Sequence, residues 1–260
     1  LALKEEAEAE VERANEAKAK FLAAASHDLR QPMQAIRLFL EALALRLVDH
    51  PQRSLVFKAM EALEGGESLL HGLLDYSILQ AGTVTADIRP FQVATVLSRL
   101  SAECERHAES KGLALRILPC DAVVCSDPVL LQRILRNLIW NSIRYTDSGA
   151  VLVGCRRRGA HIRIDVIDTG SGIPSDKLNR IFEEFYQVAN RGRNSSEGLG
   201  LGLSIVDKMA KLLNHPLSVC SVEGKGSTFS VMVPLAAANN FVAGRRIPAV
   251  VLPAGEGTLS

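Results

Sequence analysis

In the stretch AAASHDLRQPMQAIRLFL, residues 23–40, a histidine, an acid, an amide and a proline interrupt an otherwise apolar run. Asp28, beside His27, can accept the proton of one ring nitrogen, which fixes the tautomer and leaves the other nitrogen as a nucleophile. Gln31 stands four residues after His27, on the same side of a helix. Pro32 has no N–H, so the Asp28 carbonyl loses its helical partner and the helix bends beside the histidine, at a cost of about 3 kcal/mol in an ordinary helix interior. A lone histidine is most often a surface residue, but this one has neighbours suited to holding a reactive imidazole.

A second set of residues suits a nucleotide. In NLIWNSIRYT, residues 137–146, Asn137 and Asn141 are four apart on one helix face, with Arg144 near the same side. Amide oxygens are hard ligands for Mg²⁺, and a guanidinium suits phosphate. DTGSGIP, residues 168–174, ends a strand with an acid followed by Gly170 and Gly172. Such glycines let backbone approach a planar base, and Asp168 can accept from an exocyclic amine such as that of adenine; an ordinary glycine turn is the competing reading. EGLGLGLSIV, residues 197–206, opens a helix with Gly198, Gly200 and Gly202, whose free backbone N–H groups can bind phosphate. No strand leads into it, which excludes a dinucleotide fingerprint. The polar loop before it, QVANRGRNSSE, brings Arg191 and Arg193 within reach of phosphates. GKGSTFSV, residues 224–231, is either a plain hairpin turn or the element that brings Thr228 to the base.

Two kinds of element must position these groups. Residues 1–48 contain no glycine and a single proline, begin with helix-favouring LALKEEAEAEVERANEAKAKF, and carry apolar residues at Leu22, Leu29, Met33, Ile36, Leu40, Leu43 and Leu47. Those steps alternate mainly between three and four, a heptad seam. The turn signal VDHPQ, residues 48–52, separates this helix from a second, Ser54 to Ala81, giving a helical hairpin. One hairpin buries too little alone, so a homodimer with a four-helix bundle is expected. The pair Gly65 and Gly66 marks close packing or a bend in the second helix. Beyond the linker GTVTADIRP the pattern predicts helices over about 93–110, 127–146 and 201–213. It predicts strands near 113–118 and 122–125, then VLVGCRRR, HIRIDVID, LSVCSV and GSTFSVMVP, which together make an α+β sandwich.

Composition narrows the class. The 260 residues are 47% apolar and 23% charged, enough for two modest cores. A net charge of +1 gives no reason to expect nucleic acid as a partner. The five cysteines, Cys104, Cys120, Cys125, Cys155 and Cys220, lack metal-ligand spacing and are expected as reduced thiols. No stretch reaches the roughly 18–20 apolar residues of a membrane helix, so this region is expected in the cytoplasm. A chain that starts at Leu1 is expected to be a fragment, its upstream part a sensor segment or membrane anchor.

SHDLRQP resembles the phosphoacceptor box of bacterial sensor histidine kinases, with Gln31 where Thr or Asn is usual. The later motifs resemble, in order, the N, G1, F, G2 and G3 boxes of the histidine-kinase ATP-binding domain, IFEEFYQ (181–187) supplying the F box. The resemblance runs from about residue 20 to 235. It implies a dimeric helical hairpin followed by an α+β sandwich that binds ATP and Mg²⁺. His27 would be the phosphoacceptor, Asp28 its base and Gln31 a holder of water for phosphatase action. Asn141, with Asn137 assisting, would be the Mg²⁺ ligand and Asp168 the adenine contact. Arg144, Tyr145, Gly170, Gly172, Ile173, Gly198, Gly200, Gly202 and Thr228 would complete the nucleotide pocket. Leu199 stands where Thr or Ser is common, and Arg144 where Lys is common. The expected domains are a coiled-coil linker (1–21), a dimerisation and phosphotransfer domain (22–82), a linker (83–90), the ATP-binding domain (91–235) and a tail (236–260). Expected partners are a second copy, a response-regulator receiver domain and an upstream sensor, the last two implied by the resemblance. A non-catalytic nucleotide-binding scaffold is the alternative; a hydrolytic ATPase would carry an acid where Asn137 stands.

Overall fold

The computed structural model describes residues 31–47, 50, 52–80, 84–188 and 199–236. His27, Asp28, Leu22, Leu29, Arg191, Arg193 and Gly198 lie outside the described residues, as does the tail beyond residue 236. The chain divides into two compact units, residues 1–84 with 173–209 and residues 85–172 with 210–260.

In the first unit, helix α1 (31–46) and helix α2 (Arg53–Gln80) form the hairpin. His50 closes the turn, its Nδ1 accepting from Gln52 N at 3.2 Å. Met33, Leu40 and Leu47 are half-buried, while Ile36 and Leu43 of the same seam are 47% and 44% exposed. Phe39, beside them on the helix, is 74% exposed. The single hairpin therefore covers only half of its apolar seam. Of the two adjacent glycines in α2, Gly66 supports close packing: a Cβ there would lie 3.5 Å from Met33 Cε, whereas one on Gly65 would meet nothing within 4 Å.

The second unit is built on a five-stranded mixed sheet of order β2-β4-β5-β7-β6. Its strands are β2 (Ala114–Ile117), β4 (Ala150–Arg158), β5 (His161–Asp168), β6 (Leu217–Val222) and β7 (Gly226–Pro234). β2 runs parallel to β4, and the other neighbours are antiparallel. Helices α3 (Val93–Ser110) and α4 (Pro128–Tyr145) supply the rest of the core. Leu100 and Leu131, Ile134, Leu135, Leu138 and Ile139 are fully buried, as are Val153, Ile164 and Val231 on one sheet face. Asp127 caps α4, its Oδ1 accepting from Val129 N at 2.8 Å and Leu130 N at 3.0 Å, with Pro128 in the first turn where no N–H is needed.

A strand absent from the sequence reading, β1 (Arg89–Gln92), pairs antiparallel with β3 (Val123–Ser126). The residues expected to end a linker are thus part of a small second sheet. RPFQ has no alternation and contains a proline, so its pairing comes from its partner strand and not from its own pattern. Helix α5 (Gly202–Leu212) is the last helix among the described residues, and the boundary between the two units falls within it. No described helix is long and apolar enough to cross a membrane.

Candidate nucleotide and phosphotransfer site

Asp168 ends β5 and is 7% exposed. Its Oδ1 accepts from Gly170 N at 3.0 Å and Ser227 N at 3.1 Å, and its Oδ2 accepts from Ser142 Oγ at 3.2 Å. Burial pushes its carboxyl above the usual aspartate range, and these three donors pull partly the other way. With one donor on Oδ2, that oxygen keeps a lone pair for a ligand amine.

The loop after Asp168 is wedged between α4 and the β6–β7 turn. Ser171 N donates to Tyr145 O at 3.1 Å, and Gly224 N donates to Ser171 O at 2.7 Å. Gly170 lies so close to Tyr145 O that a Cβ would collide with it. Gly172 combines φ +65° with contact against Val222 O, so both its backbone angle and the space demand glycine. The carbonyl end of α4 is held by Lys111, whose Nζ donates to Ile143 O and Arg144 O at 2.9 Å each and to Thr146 O at 3.4 Å. Thr146 Oγ1 also donates to Ser142 O at 2.7 Å.

On α4, Asn137 Nδ2 donates to Arg133 O at 2.9 Å, so Oδ1 is the atom left for a ligand. The Asn141 side chain is half-buried and makes no hydrogen bond to another described residue. Two amide oxygens fit Mg²⁺, which keeps several waters and takes further oxygens from phosphates. Among the described residues there is no cluster of three His, Cys, Asp or Glu side chains to compete for it. Arg144 lies with its guanidinium carbon 5.6 Å from the ring centre of Tyr145, which is 40% exposed.

β7 differs from the expectation in one respect. Ser227 is the residue paired with Asp168, while Thr228 pairs with Ile167 and points to the opposite face of the sheet. The structure thus brings Ser227, not Thr228, beside Asp168. Sequence reasoning also missed Ser142 and Lys111. Ser142 left a trace, a small polar residue four after Leu138 in the buried stripe of α4, which needs a partner. Lys111 left none, because its carbonyl partners lie more than thirty residues away.

The remaining predicted residues belong to the first unit. Ile173 is half-buried. Gly200 has φ +71°, and a Cβ on it would come within 2.8 Å of the Phe185 carbonyl carbon. Gly202 is the first residue of α5, where Leu201 O accepts from Ile205 N and Ser204 Oγ, both at 2.9 Å. Gln31 is an exposed residue of α1.

Residues 126–237 match the family described as histidine kinase-, DNA gyrase B- and HSP90-like ATPase, and residues 17–82 match the His Kinase A phospho-acceptor domain. The chain belongs to the histidine kinases. It is 34% identical over 229 residues to the sensor histidine kinase AtsR of Burkholderia thailandensis, covering 84% of this chain and 37% of that protein. It is 33% identical over 231 residues to the sensor histidine kinase RcsC of Escherichia coli, covering 86% of this chain and 24% of that protein. Among solved structures, full-length ShkA in complex with AMPPNP matches with a TM-score of 0.63 and 27% identity, over 85% of this chain and 47% of that one. The chain therefore spans less than half the length of each of these proteins. Their shared fold, a helical phosphoacceptor region followed by an α/β sandwich with a mixed sheet, is the one described above.

Proposed function

We propose that this chain is the catalytic core of a two-component sensor histidine kinase. ATP binds with its base amine on Asp168 Oδ2, the γ-phosphoryl passes to His27, and a receiver-domain aspartate of a response regulator then takes it. The observation that carries this reading is Asp168, a buried carboxylate held by Gly170, Ser227 and Ser142 with one acceptor position left over. Asn141 and Asn137 would hold Mg²⁺, which when bound neutralises phosphate charge during transfer. Arg144, Tyr145, Gly170 and Gly172 would shape the rest of the nucleotide site, with Ser227 in the part expected of Thr228. Asp28 draws the proton from one nitrogen of His27, and Gln31 holds the water that removes phosphate from the receiver.

The chain works as a homodimer in this reading, because Ile36, Phe39 and Leu43 present an uncovered apolar stripe that a second hairpin would bury. An upstream sensor region, membrane-anchored in the full-length protein, would set its activity. The domain limits that follow are 22–82 for phosphotransfer and dimerisation and 91–235 for ATP binding, the β1 strand extending the latter to about residue 89. The test is labelling with γ-labelled ATP: the parent takes up acid-labile, alkali-stable label, and His27→Gln takes up none while binding nucleotide as before. Label persisting on His27→Gln would place the acceptor elsewhere, and an unlabelled parent would favour the non-catalytic scaffold.

A further inference from the structure

Three side chains of the first unit, distant in sequence from α2, converge on its Tyr76. Tyr76 Oη donates to Glu184 Oε2 at 2.7 Å across 108 residues. Lys208 of α5 reaches Glu184 Oε1 at 3.1 Å, and its Nζ also stands 5.1 Å from the centre of the Tyr76 ring. Phe185 meets the same ring edge-on, with centroids 6.3 Å apart. Two titrating groups feel the arrangement. The bond to Glu184 pushes the Tyr76 hydroxyl up, and the bonds from Tyr76 and then Lys208 hold the Glu184 carboxyl below its usual range.

The backbone at this point is unusual. Phe185 has φ +61°, a conformation disfavoured for any residue with a β-carbon, and it persists only where its surroundings over-determine it. Gly200 packs against it, with no room for a Cβ beside the Phe185 backbone. Phe185 is nevertheless 59% exposed, so burial does not account for the strain. What the strained turn achieves is to present Glu184 and Phe185 together to Tyr76.

The contact has a second anchor on α2. At Gly72, a Cβ would lie 4.0 Å from Ile205 Cδ1 of α5, and Tyr76 is four residues on, about one helical turn. The F-box segment and α5 thus meet α2 within one turn of each other.

We propose that Tyr76 is a positioning residue for phosphoryl transfer: through Glu184, Phe185 and Lys208 it fixes the F-box segment and α5 onto helix α2 of the hairpin. This rests on the kinase reading above and adds a docking contact from the F box to Tyr76, a residue outside both the phosphoacceptor box and the nucleotide boxes. Transfer needs donor and acceptor held within bonding range, and a contact that fixes the F-box segment on the hairpin removes part of the orientational search. Tyr76 belongs to none of the residues that hold nucleotide, so its effect should fall on kcat and not on KM for ATP.

The test uses the whole chain and γ-labelled ATP. Tyr76→Phe keeps the ring, its contact with Phe185 and its place beneath Lys208, and removes only the hydroxyl. The expected result is a kcat for His27 labelling about fivefold lower with KM for ATP unchanged, the size of one charge-assisted hydrogen bond at a half-exposed site. Glu184→Gln should lower kcat at least as much, because it also ends the ion pair with Lys208, and adding Tyr76→Phe to it should cost less than Tyr76→Phe costs alone, because those two changes remove one shared interaction. Tyr76→Phe labelled at the parental rate or faster, a loss confined to KM, or additive losses in the double variant would overturn the proposal. If the parent labels His27 and Tyr76→Phe is unaffected, only the docking role fails; if the parent takes no label, the kinase reading fails and the proposal with it.

Discussion

Replacing Asp168 by asparagine separates the two tasks of this side chain. Within the fold, the amide can keep its oxygen toward Gly170 N and Ser227 N, and Ser142 can turn its hydroxyl to accept from the new amide nitrogen, so all three internal bonds survive. Toward a ligand the change is a reversal, since the spare acceptor position on Oδ2 becomes an N–H that faces the donor amine of the base. Losing a hydrogen bond to a charged acceptor costs about 1.5–3 kcal/mol, which at about 1.4 kcal/mol per tenfold is roughly a 10- to 100-fold rise in Kd. Stability should respond differently. The folded carboxyl has its pKa raised by burial, so the folded state holds the proton more tightly than the unfolded one. The stabilising contribution of Asp168 is therefore present in acid and lost as pH rises through the raised folded value. The amide of the variant does not titrate, so the melting temperature of Asp168→Asn should gain on the parent as pH climbs from below the carboxylate range toward neutrality. Calorimetric titration with ATP and a pH series of melts check both halves. A variant that binds ATP as tightly as the parent while melting cooperatively would refute the assignment of Asp168 to the base.

Lys111→Met strips the cation from the carbonyl end of α4 and should lower unfolding free energy by about 1–2 kcal/mol, read from a urea transition. Gly172→Ala places a Cβ at φ +65° against Val222 O and should cost more than about 2 kcal/mol, with a matching loss of ATP binding in the folded fraction. Ile36→Asp combined with Leu43→Asp puts charge on the uncovered stripe of α1 and should convert a dimer to monomers by light scattering; a folded dimer that survives would put the interface elsewhere.

The sequence by itself determined those parts of the protein that depend on local pattern. The apolar stripes of α3 and α4 and the alternation in β4 to β7 place nearly every element, because each shows its period along its own chain. Asp168, Asn137, Asn141 and the glycines could be singled out for a related reason: the chemistry proposed for them is carried by residue type and short spacing. What only the tertiary structure decided are relations between segments far apart in sequence. The strand β1 exists because β3 offers it an edge, and β2 runs parallel to β4 because the connection through β3 and α4 returns the chain in the same direction. Which of Ser227 and Thr228 faces Asp168 turns on register, where a shift of one residue exchanges the two faces of the sheet. The hold of Ser142 on Asp168, the capping of α4 by Lys111 and the meeting of Tyr76 with Glu184 join positions 26, 32 and 108 residues apart. Such contacts leave almost no periodic trace in the chain. They arise only when packing of the apolar faces has fixed where each helix end and strand end lies.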